Sequence, residues 1–132
     1  MGTPNFNYGQ SEIKVFSDAA SGGVLHFDEK AVQDAVRQYD LMIEGLYKVR
    51  EKLGQLTFVS GFGGFQSSLE LQDGFSRKAQ DGIAIINQLI DGAMQLQEAY
   101  LRSAGLMKDA DRNNANRLKF IANTARADGV KQ

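Results

Sequence analysis

The one proline of this 132-residue chain, Pro4, lies at its beginning, so everything after it is free to form long helix. A proline inside a helix costs about 3 kcal/mol or more, because it removes a backbone donor and clashes with the preceding turn. The spacing of apolar residues shows how that freedom is used. One series recurs every seven residues at Val32, Tyr39, Leu46 and Leu53, and a second at Ala35, Met42, Val49 and Leu56. Two interleaved seven-residue series are the a/d seam of a helix that packs lengthwise on other helices. A half-buried strand would need alternation of period two, and none is present. Val36 and Ile43 widen the seam on one side. Asp28, just after Leu25 and Phe27, is a residue type suited to cap a helix N-terminus. The pattern therefore predicts a helix over 28–57, about 45 Å long at the usual rise per residue.

Phe58 to Phe65 breaks the periodicity, with glycines at 61, 63 and 64. Glycine tolerates positive φ, so this stretch predicts a turn over 58–65. Helical spacing then resumes at Leu69, Phe75, Ala79, Ile83, Ile86, Leu89, Ile90 and Ala93, and continues through Leu96, Tyr100, Ala104 and Met107. That predicts a second helix over 66–107. Gly82 falls beside its apolar face, where a small residue lets another helix approach closely. Segment 108–132 reads as a helical extension or a disordered tail. Segment 1–27, with Gly22 and Gly23, reads as an irregular arm carrying a short extended piece at Glu12–Phe16.

Composition closes off several function classes. There is no cysteine, which removes disulfides, thiolate metal sites and cysteine catalysis. The one histidine, His26, has no nucleophile or orienting acid at a supporting spacing, so no catalytic constellation can be assembled around it. Metal binding needs several ligands at suitable spacing, and none is offered. The glycines at 61–64 are followed by Phe65-Gln66-Ser67 and not by the Lys-Ser/Thr of a phosphate loop. The carboxylates Glu44, Glu51, Glu70, Asp73, Asp81 and Glu98 sit on polar helix faces and read as solvated surface. With 15 basic and 16 acidic residues the formal net charge is −1, which offers no general attraction to nucleic acid. No stretch approaches the roughly 18 apolar residues of a membrane span, so no stable membrane insertion is expected. The polar start, Met1 to Gln10, lacks the basic and apolar regions of a conventional signal peptide. The expectation is a non-enzymatic protein with no cofactor and no metal.

These features predict an all-α chain: an antiparallel helix-turn-helix hairpin. Two helices alone bury only one side each, and small domains are already marginal. The wide apolar stripes therefore point to assembly into a four-helix bundle dimer. Its association face is expected at Tyr39, Ile43, Leu46, Leu53, Ile86, Ile90 and Leu96.

A long helix, an aromatic-glycine turn and a second long helix together resemble the WXG100/ESX family. In this chain Phe62-Gly63-Gly64 stands where that family carries Trp-x-Gly, within the turn motif Gly61, Phe62, Gly63, Gly64 and Phe65. The resemblance covers about residues 25–107. It implies a small hairpin that pairs as a homodimer or as a heterodimer with a related helical hairpin protein. It further implies a substrate, or co-secreted partner, of type VII (ESX) secretion, exported without a cleaved signal peptide and read by an FtsK/SpoIIIE-type ATPase. The family's export signal, Tyr-x-x-x-Asp/Glu, has no match after the second helix, since Tyr100 is followed at the fourth position by Ala104; in this resemblance the chain would be the partner that lacks the signal. The alternative is a cytoplasmic helical adaptor or chaperone that masks a partner's amphipathic helix.

Overall fold

The computed structural model describes residues 9–57 and 63–130, the last five by their backbone only. Within them the chain is all-α, with four helices packed together and no strand: α1 (Gln10–Ser21), α2 (Glu29–Leu56), α3 (Gln66–Ser103) and α4 (Met107–Val130). α3 is the central element, and each of the other three packs on it.

Local chemistry sets the ends of α2. Asp28, in extended conformation, accepts a hydrogen bond from the Ala31 amide at 3.0 Å, which satisfies one of the orphan donors of the first turn. At the other end the Thr57 hydroxyl donates to the Gly54 carbonyl, and the Thr57 carbonyl accepts from the Ser76 hydroxyl of α3 at 3.0 Å. Contacts between α2 and α3 then descend in opposite directions along the two helices. Leu53 meets Gly82, Arg50 meets Asn87, and Asp40 and Val36 meet Gln97.

Three boundaries differ from the sequence expectations. First, the arm expected to be irregular contains α1. The run Glu12–Phe16 alternates apolar and polar residues over too short a span to mark a strand. Its burial follows helical spacing: Ile13 is 8% exposed and Val15 69%, while Ile13, Phe16 and Ala20 lie on one helical face at spacings of three, four and seven. Twelve residues are marginal as an isolated helix, so this one depends on its seat against α3. Gly92 provides the seat, since a Cβ there would lie 3.2 Å from the end of Ile13.

Second, α3 ends at Ser103 and not at 107. Gly105 has φ +76°, its amide donates to the Arg102 carbonyl at 3.1 Å, and the Leu106 amide reaches back to Leu101 at 2.9 Å. This is the paired hydrogen-bond pattern of a glycine-terminated helix. The same pattern closes α1 at Gly23 (φ +74°), with Gly23 donating to Ala20 and Val24 to Ala19. Third, residues after Met107 do not extend the α3 axis. They form α4, which folds back along α3. Asn113 Nδ2 donates to the Met94 carbonyl at 2.7 Å, and Arg117 Nε to Asp91 Oδ1 at 2.6 Å.

The core has two centres. Val32, Leu101 and Ala110 form one near the α3–α4 reversal, flanked by Val36, Tyr100, Ala104 and Leu106. Ile43, Ile90, Ala93 and Phe120 form the other, midway along the bundle. Phe120 comes from α4 and meets Tyr47 of α2 edge-to-face at 6.2 Å, so α4 touches α2 through side chains as well as packing on α3. None of the described helices is long and apolar enough to cross a membrane.

Candidate functional site

Five of the seven residues expected on the association face lie in the chain's own core. Ile43 and Ile90 are buried, and Tyr39, Leu46 and Ile86 pack against them. Leu53 rests on Gly82, where an added Cβ would come within 3.1 Å of Leu53 Cδ1, and Leu96 is half-buried on α3. The expectation underestimated the chain's own resources. α1 and α4, read as arm and extension or tail, cover surface on α3 that a partner was expected to cover.

The second seven-residue series behaves differently. Met42 is 46% exposed, Val49 46% and Leu56 43%, all on α2. Leu53, three residues before Leu56 and four after Val49, turns toward α3, so this row lies along the rim of the α2–α3 seam. Across the seam, Gly82 marks the matching rim of α3, and the next residues on that flank, Ile85 and Leu89, are also exposed. Gly45 lies between Met42 and Val49, with open space where its Cβ would be. The result is an apolar flank built from the heptad-spaced row of α2 and from Ile85 and Leu89, one turn apart on α3. Scattered single hydrophobics on a surface need no explanation, whereas apolar residues repeated along one flank are the arrangement that helix-pairing surfaces use. Sequence reasoning had assigned both series to a single seam, and only the packing separates the covered row from the open one.

Of the turn residues, Gly61 and Phe62 lie outside the described residues. Gly63 has φ +97°, in the region that favours glycine. Gly64 is exposed, and Phe65, just before α3, is 78% exposed.

The polar groups of the bundle act as positioning devices. Gln97 is 1% exposed; its Nε2 donates to Asp40 Oδ1 at 2.6 Å and to the Val36 carbonyl at 3.0 Å. It occupies the heptad position after Ile83 and Ile90, and a polar group at such a position fixes helix register. At the same end, Phe16, Phe27 and Tyr39 surround Tyr100 at ring distances of 4.9 to 6.0 Å. Burial, followed by the proximity of Tyr100 and a hydrogen bond to it, pushes the Tyr39 hydroxyl above its ordinary value of 10.0. The hydrogen bond to Glu98 holds the Arg102 guanidinium above its ordinary range, with Asp111 also contributing, while burial works the other way. Among the described residues no three histidine or acidic side chains gather as a metal cluster.

Comparison of the chain with protein-family models, with curated proteins and with solved structures finds no match.

Proposed function

We propose that this protein is a non-enzymatic helix-pairing module that binds a helix of a related helical hairpin protein along the open flank of α2 and α3. One observation carries the reading: Met42, Val49 and Leu56 stand exposed at seven-residue intervals, the spacing at which a second helix inserts its own side chains. The partner is a second copy of the chain or a different hairpin. It does not replace the interior packing of Ile43 and Ile90, which the chain completes for itself, so pairing adds a helix to the bundle's side.

Within this reading, the resemblance of the 25–107 region to the WXG100/ESX family makes the protein a type VII secretion substrate or co-secreted partner. It would then leave the cell without a cleaved signal peptide, and the Phe62-Gly63-Gly64 turn would be read by an FtsK/SpoIIIE-type ATPase. Two experiments test the two levels separately. Analytical ultracentrifugation of the chain, alone and co-expressed with hairpin proteins encoded beside it, should give a complex that Val49→Asp weakens at least tenfold. A monomer under all these conditions would end the pairing reading. Export measured with and without the ATPase tests the secretion level. A complex that forms but stays in the cytoplasm supports the adaptor or chaperone alternative.

A further inference from the structure

Among the described residues three arginines are half-buried: Arg50, Arg102 and Arg117. Two of them are neutralised by carboxylates, Arg102 by Glu98 and Asp111, and Arg117 by Asp91. Arg50 is not. Its NH1 donates to Asn87 Oδ1 at 2.9 Å, and its guanidinium lies over the rings of Tyr47 at 4.6 Å and Phe120 at 5.9 Å. An amide oxygen and two ring faces hold the group in place without balancing its charge. Guanidinium carries five N–H donors, and among the described residues only one of them is engaged by a protein acceptor.

Arg50 faces a cleft of about 640 Å³ between α2 and α4, floored by α3. That volume lies within the range usual for small-molecule sites, roughly 300–1,000 Å³. Lys119 stands on the α4 wall, and the side chains of Asn87, Asn116 and Asn123 supply further polar groups. No Asp or Glu lines the cleft among the described residues, although the whole chain holds slightly more acidic than basic residues. Among the described residues, two cations without a counter-charge, amide groups and the apolar side chains of Ile83, Met94 and Phe120 are therefore brought together in one place.

We propose that this cleft binds a small organic anion, a carboxylate or phosphate joined to a flat apolar body. Arg50 and Lys119 take the anionic head, and the body lies against Phe120 and Met94. Arginine suits this role because its planar fork matches carboxylate and phosphate oxygens, and because its stacking on Tyr47 and Phe120 fixes the fork before the ligand arrives. The site lies on α4 and the α4-facing side of α2, away from the row Met42–Val49–Leu56, so it is independent of helix pairing.

The test is NMR titration of the isotope-labelled full chain with phenyl phosphate, with benzoate as the carboxylate arm and benzyl alcohol and inorganic phosphate as controls. Phenyl phosphate or benzoate should shift the Arg50 Nε–H and the Asn116 and Asn123 amides saturably, with a Kd of about 1 mM or tighter. Benzyl alcohol should not, and inorganic phosphate should bind at least fivefold more weakly. Lys119→Gln, at an exposed position, should weaken binding severalfold, and Arg50→Gln at least tenfold. Because Arg50→Gln also removes packing on Phe120, its fold is checked by the same spectrum, and Lys119→Gln keeps the test independent of that. The proposal is overturned if neither anion gives saturable shifts at these residues below about 10 mM, if Lys119→Gln binds like the parent, or if benzyl alcohol binds equally well.

Discussion

Gln97 Nε2 and Asp40 Oδ1 stand 2.6 Å apart across the α2–α3 seam, joining a fully buried amide to an exposed carboxylate. The same nitrogen holds the Val36 carbonyl, so one side chain grips α2 at two successive turns. A shift by one turn along either helix would leave the amide without partners inside the core, at a cost of about 1–3 kcal/mol. The amide thus specifies register more than it adds stability.

Gln97→Leu should accordingly cost little, about 0.5–1.5 kcal/mol in urea denaturation, since it keeps the bulk and Asp40 can turn to water. Gln97→Ala adds a void and should cost about 2–3 kcal/mol. If the leucine variant proves the worse of the two, the register argument fails.

Phe120 belongs to the central cluster with Ile43, Ile90 and Ala93, yet it comes from the last helix. α4 has few other apolar anchors, and Leu118 and Ile121 are exposed. Phe120→Ala should destabilise the chain by about 3–4 kcal/mol. Hydrogen exchange should show protection lost in 113–125 well before α2 and α3 open. Uniform loss of protection across all four helices would mean that α4 is integral to a single cooperative unit.

The all-α character of the chain was legible because Val32 to Leu56 and Leu69 to Leu96 are long and strongly periodic, and such segments leave little choice of element. The Asp28 cap was legible for a local reason, a short acidic side chain just before the first periodic residue. α1 was not, because the face of Ile13, Phe16 and Ala20 spans little more than two turns and carries too little signal, and its helicity comes from packing on Gly92. The reversal at Gly105 did leave a mark, Ser-Ala-Gly-Leu after a long helix, but a lone glycine inside periodic sequence resembles Gly74 or Gly82, which the helix simply absorbs. Which heptad row would stay open could not be read at all. That depends on where α1 and α4 dock, a fact of the whole fold and not of any segment. The Arg50 cleft was equally hidden, since Arg50, Asn87 and Lys119 are brought together only when α4 folds back.

Tyr39 gives a pH prediction. Its hydroxyl is held above its ordinary value of 10.0 by burial and by Tyr100, so the folded state keeps the proton after the unfolded chain has lost it. A group raised in the fold contributes stability that is complete below the unfolded value and disappears as pH rises through the folded one. The stability advantage of the parent over Tyr39→Phe should therefore be full near pH 8 and shrink toward about pH 11. Chemical denaturation of both proteins at these two pH values checks it. A difference that stays constant or grows with pH would contradict the assignment.

Three glycines separate backbone need from available space. Gly105 has φ +76°, a conformation that L-residues adopt at a cost of about 1–2 kcal/mol, and it ends α3 so that α4 can return. Gly105→Ala should lower stability by about 1 kcal/mol or more. Gly45 and Gly74 sit inside α2 and α3 with nothing within 4 Å of an added Cβ, so Gly45→Ala and Gly74→Ala should each raise stability by about 0.5–1 kcal/mol through helix propensity alone. The two stabilising changes differ in one respect. Gly45 lies in the open row between Met42 and Val49, where an approaching partner helix would meet the new methyl, whereas Gly74 lies outside the strip that carries the pairing proposal. Thermal melts of the three variants should rank Gly105→Ala below the parent and the other two above it. Ultracentrifugation with the partner should then show association altered by Gly45→Ala and unchanged by Gly74→Ala. Equal effects of the two on association would place the binding surface elsewhere than on the Met42–Val49–Leu56 row.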